Sequence, residues 1–123
     1  MKVLSLEQMN KLKELGVDVN PKGTCLMYTS DSSDNYYLKY GESTCEDDVA
    51  AFSLQDIIEL LPPQLIHKEK NIYLNFENIG KEYGFYYVDC DFEIYVYFNN
   101  TNILQAAYNM LIWVIENGYL ETK

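Results

Sequence analysis

Apolar positions along the chain change their period repeatedly, and each change marks a new element. Leu6, Met9, Leu12 and Leu15 recur at helical spacing behind Ser5, which stands three residues before Gln8 in capping-box form. Gly16 follows where a left-handed residue can end that helix. Residues 17–24, with Asn20, Pro21 and Gly23, read as a loop. Residues 25–29 and 36–40 are rich in aromatic and aliphatic side chains and read as two strands, joined by the polar run 30–35. Ser53 opens a second helix whose buried stripe is Leu54, Ile57, Ile58 and Leu61, and Pro62-Pro63 ends it because neither residue can donate the next ladder bond.

Beyond the prolines the period drops to two. Ile72, Leu74 and Phe76 alternate with Tyr73, Asn75 and Glu77, and Phe92, Ile94, Val96 and Phe98 alternate with Glu93, Tyr95 and Tyr97. Between them Asn78-Ile79-Gly80-Lys81 supplies a turn, residues 85–89 a strand, and Asp89-Cys90-Asp91 a second turn. Asn99-Asn100-Thr101 breaks the last strand, and a helix over 102–117 runs to Gly118. The predicted order is helix, two strands, helix, a three-strand antiparallel meander, helix. This is a small α+β domain over residues 1–123 with helices packed on one sheet face, and with a mobile acidic loop over about residues 41–51.

Two surfaces in this layout stand out. On the last helix, Asn102, Gln105, Asn109 and Glu116 share a polar stripe with Trp113, opposite the core side of Ile103, Leu104, Ala107, Leu111, Val114 and Ile115. An indole there is either covered by a loop of its own chain or free to anchor a partner. On the meander, facing Ile72, Leu74, Phe76, Ile94, Val96 and Phe98 towards the helices turns Tyr73, Tyr87, Tyr95 and Tyr97 outward. Such tyrosines either pair across strands or form an amphipathic interface.

Composition narrows the function classes. The 123 residues carry 12 tyrosines and a formal net charge of -10, and all nine basic residues are lysine. Without arginine, and with a pI near 4.3, the chain is a poor direct ligand for nucleic-acid phosphates. No secretory signal or membrane-length apolar run is visible, and Cys25, Cys45 and Cys90 form no paired motif, so the expectation is a cytoplasmic protein with reduced thiols. Asp31, Asp34, Glu42, Glu46, Asp47 and Asp48 make an acidic patch that either solvates a loop or imitates phosphates for a basic protein.

Candidate chemistry is sparse. His67 lies in a polar connection after the prolines, and no nucleotide-binding, zinc-protease or nucleophile motif occurs. Asp89 and Asp91 flank Cys90 and could hold a hard cation or act as an acid/base pair with Glu93 close by, though aspartate also favours plain turns. Asp31 to Glu42 imitates a calcium loop, but Tyr36 occupies the position that needs glycine. The expectation is therefore no catalytic set, no metal and no cofactor.

Three segments together carry a resemblance. They are Leu4-Ser5-Leu6-Glu7-Gln8-Met9 with Leu12-Lys13-Glu14-Leu15-Gly16-Val17-Asp18, then Phe52-Ser53-Leu54-Gln55-Asp56-Ile57-Ile58-Glu59-Leu60-Leu61-Pro62, then Ala107-Tyr108-Asn109-Met110-Leu111-Ile112-Trp113-Val114-Ile115-Glu116-Asn117-Gly118-Tyr119-Leu120. The chain resembles, over nearly its whole length, a group of small uncharacterised proteins of gut bacteria and their phages and prophages. The shared motifs are caps, apolar stripes and a helix end, so the resemblance transfers no functional residue. It implies a phage-related setting, in which the expected role is a non-enzymatic accessory protein that binds another protein or itself. The alternative is an acidic inhibitor of a basic host protein.

Overall fold

Ser5 begins the first helix as its spacing requires. Its hydroxyl accepts from the Gln8 N–H at 3.1 Å, while the Gln8 side chain accepts from the Ser5 N–H at 3.0 Å, closing the capping box of α1 (Leu6–Glu14). Gly16, at φ 94°, ends it, with the Val17 N–H turned back to the Leu12 carbonyl. The computed structural model describes residues 2–30 and 35–120, and the chain falls into two compact units with the boundary in sequence after Ser53. The fold is α+β, with every strand pair antiparallel.

In the first unit, β1 (Cys25–Ser30) lies between β2 (Tyr36–Gly41) and β3 (Val49–Ala50). Leu4, Met9, Leu12, Val17, Val19, Met27 and the Val49–Ala51 segment make its core. The Tyr28 hydroxyl donates to the Leu4 carbonyl at 2.6 Å, and the Leu4 N–H donates to the Phe52 carbonyl at 2.9 Å. Residues 41–51, expected as an acidic loop, thus end in a buried strand.

The second unit holds α2 (Leu54–Leu60), β4 (Gln64–His67), β5 (Lys70–Ile79), β6 (Glu82–Val88), β7 (Ile94–Asn100) and α3 (Ile103–Glu116). Its four strands follow one another in sheet order β4-β5-β6-β7. The meander is therefore preceded by a strand where a polar connection was expected. Asn102 caps α3, its Oδ1 accepting from the Leu104 and Gln105 N–H groups. Leu104, Ala107, Met110, Leu111 and Val114 of α3 are buried. On the sheet, Ile72, Phe85 and Tyr87 are buried with them.

Register overturns part of the expected inner face. Tyr87 pairs with Leu74 on one side and Val96 on the other, so it points with them towards the helices, not outward. It is fully buried, and its hydroxyl donates to the Pro62 carbonyl at 2.7 Å. A bulge follows: Tyr87 pairs with Val96 but Val88 pairs with Ile94, leaving Tyr95 unpaired. The extra residue moves Ile94 to the side of Val88 and Tyr73, where it is exposed. Phe76, also expected in the core, is exposed, although Phe85 directly opposite it on β6 is buried.

Candidate protein-interaction site

The five aromatic residues singled out in the sequence do not form one surface. Tyr73 and Tyr97 face outward and are exposed. Tyr97 lies over Gly84, where an added Cβ would stand 2.8 Å from the phenol oxygen, and its hydroxyl donates to Glu77 at 2.6 Å. The Glu77 carboxylate accepting that bond raises the Tyr97 pKa. Tyr87 is a core residue, as above. Tyr95 joins a cluster around His67 instead of an outer face, because the bulge removes it from the alternation.

That cluster covers Trp113 from within the chain. The His67 ring lies 6.0 Å from Tyr95, 5.8 Å from Trp113 and 5.7 Å from Tyr119, and Trp113 stands 5.7 Å from Tyr119. The Tyr119 hydroxyl meets Nδ1 of His67. Tyr119 is brought there by the helix end: Gly118 at φ 77° lets the Tyr119 N–H return to the Val114 carbonyl. His67 is thus a half-buried strand residue rather than a solvated loop histidine, and Trp113 is half-buried under its own chain.

The carboxylates separate in the same way. Asp89 is buried and organises its turn: Oδ1 accepts from the Asp91 and Glu93 N–H groups at 2.9 Å each, and Oδ2 accepts from the Tyr95 hydroxyl at 3.1 Å. The Glu93 N–H, then the Tyr95 hydroxyl, the Asp91 N–H and the Lys70 ammonium at 3.9 Å, hold its carboxyl below the usual range. Asp91 contributes its backbone to that turn, and its side chain is exposed. Among the described residues no group of three His, Cys, Asp or Glu side chains is placed to hold a metal ion.

Of the acidic patch, Asp31 and Asp34 lie outside the described residues, and Glu42, Glu46 and Asp47 are exposed. Asp48 is not part of a surface patch: it is 3% exposed. Its Oδ2 accepts from the Ser43 hydroxyl and from the Thr44 and Cys45 N–H groups, folding 43–48 around one carboxylate. The Thr29 hydroxyl and these donors lower its pKa against the opposing effect of burial.

A surface that the alternation alone did not single out lies on β2. No strand among the described residues pairs with its outer edge. Tyr36, Leu38 and Tyr40 stand opposite Ser30, Tyr28 and Leu26 and share one face; Tyr37 lies on the other. All four are exposed, Tyr37 by 52%, Leu38 by 47% and Tyr40 by 71%. Sequence could supply the strand but not its place at an edge, which depends on which neighbours pair with β1. No family model matches the chain, and no curated protein or solved structure matches it. In the second unit, Ile58, Leu74, Asn75, Phe76, Phe85 and Ile103 line an apolar hollow of about 290 Å³. Its lining offers no charged group to orient a ligand, whereas β2 presents backbone hydrogen-bonding groups along with its apolar side chains. No described helix is long and apolar enough to cross a membrane.

Proposed function

We propose that the chain is a non-enzymatic protein-binding module that acts through the open edge of β2. One observation carries this reading: an edge strand with four exposed large apolar side chains, Tyr36, Tyr37, Leu38 and Tyr40. Edge strands are ordinarily blunted by proline, bulges or several charges, because a row of free N–H and C=O groups recruits other chains. β2 has only Lys39, half-buried. An edge of this kind adds a partner strand through main-chain hydrogen bonds, with alternate side chains giving selectivity. The resemblance to small proteins of gut bacteria and their phages gives the role a setting, an accessory protein of a mobile element.

A photo-crosslinking residue placed at Tyr40 tests the reading in extract of the native host. The expected result is a discrete crosslinked protein that does not form when the same residue replaces the exposed Glu116. Identical products from both positions, or none from Tyr40, would refute it.

A further inference from the structure

We infer that β2 takes up an extended segment of a partner protein, apolar at alternate positions and bearing lysine or arginine, as an added strand. This rests on the protein-binding reading above and assigns that surface its ligand class. The backbone edge asks for an extended segment, because only an extended chain meets a row of strand N–H and C=O groups in register. Tyr36, Leu38 and Tyr40 recur on one face with period two, so they match apolar side chains at alternate positions of the added strand.

Charge selects among such segments. Glu42, Glu46 and Asp47 are exposed just beyond the end of β2, and the whole chain carries -10. Three of the four exposed apolar residues on the strand are tyrosines, whose ring faces attract ammonium and guanidinium groups. A second copy of this chain would offer an extended strand with apolar alternate positions, but it fails on charge. It carries the same net charge of -10 and no arginine, and its own β2 offers only the half-buried Lys39. Repulsion between two such copies opposes β2-to-β2 pairing, whereas a basic segment is drawn to the same edge.

Two synthetic peptides test the inference on the full chain. Both alternate valine and threonine; one carries lysine pairs at its ends and the other glutamate pairs. Amide chemical shifts locate binding, and sedimentation reports the oligomeric state. The expected result is that the lysine-flanked peptide perturbs β2 and binds at least about tenfold more tightly than the glutamate-flanked one. That affinity should fall about tenfold between about 0.05 M and about 0.5 M salt. Tyr40→Lys should abolish binding, with the unchanged circular dichroism expected of a substitution at so exposed a site. Equal affinity for the two peptides overturns the basic-segment inference and leaves the docking edge standing. If neither binds and the chain forms a dimer that Tyr40→Lys disperses, the occupant is a second copy and the inference is wrong. If neither binds, the chain stays monomeric and the Tyr40 crosslink fails, both the inference and the reading beneath it fall.

Discussion

Tyr87 has an apolar ring in the core and a hydroxyl that must be satisfied there. Its bond to the Pro62 carbonyl does so. Tyr87→Phe removes the donor and leaves the carbonyl short of a partner, which should cost about 1–2 kcal/mol. Urea unfolding should show a lower midpoint with an unchanged slope, since the surface exposed on unfolding hardly changes. Burial also raises the Tyr87 pKa above that of a free phenol. A raised folded pKa gives stability that is complete below the unfolded value near about 10 and is lost as pH rises beyond it. Tyr87→Phe should therefore lessen the alkaline loss of stability while lowering stability at neutral pH. The alternation pointed the other way and turned Tyr87 outward; pairing with Leu74 and Val96 puts it in the core.

Among the elements, the β4–β5 hairpin departs furthest from its sequence signal. His67 pairs with Lys70, so Lys68 and Glu69 form a two-residue turn, with φ of 50° and 68°. Positive φ at both central residues belongs to the turn that suits the twist of a hairpin, and its usual residues are Asn-Gly. Lys-Glu pays a steric penalty there and gives no turn signature, which is why the strand Gln64–His67 reads as a polar connection. Lys68→Asn combined with Glu69→Gly should stabilise the chain by about 1 kcal/mol, after the entropy cost of the new glycine. Thermal unfolding would measure it; a loss of stability would show that these side chains contribute more than the strain removes. The capping box of α1 was legible because its hydrogen bonds are local, spanning three residues. Asn102, expected as the first residue of α3, is instead its cap, and the helix begins at Ile103. The bulge at Tyr87/Val88 was not legible, since a one-residue offset between strands leaves no local mark on either.

At the scale of the whole molecule, charge and the two buried aspartates act in the same acidic range. Asp48 and Asp89 both have lowered pKa values. A lowered folded pKa gives stability that is fully present above the unfolded value near about 3.9 and is lost as pH falls through the folded one. Stability should thus hold down to about pH 5 and decline below about pH 4, and the decline should be shallower in a variant carrying Asp48→Asn and Asp89→Asn. Urea midpoints measured across pH would check this. The pI near 4.3 lies just above that decline, so self-association should also be greatest there, where charge repulsion vanishes.

The α+β class, the ends of α1 and α3 within a residue, and most of the apolar stripe of α3 were legible in the sequence. Each follows from local hydrogen bonding or from periodicity, and none needs knowledge of which segments meet. Tertiary structure was needed to show that Tyr87 is core, that Tyr95 and Trp113 gather around His67, that Asp48 is buried, and that β2 is an edge strand among the described residues. Those outcomes depend on strand order and register, and a shift of one residue in register reverses which face of a strand meets the core.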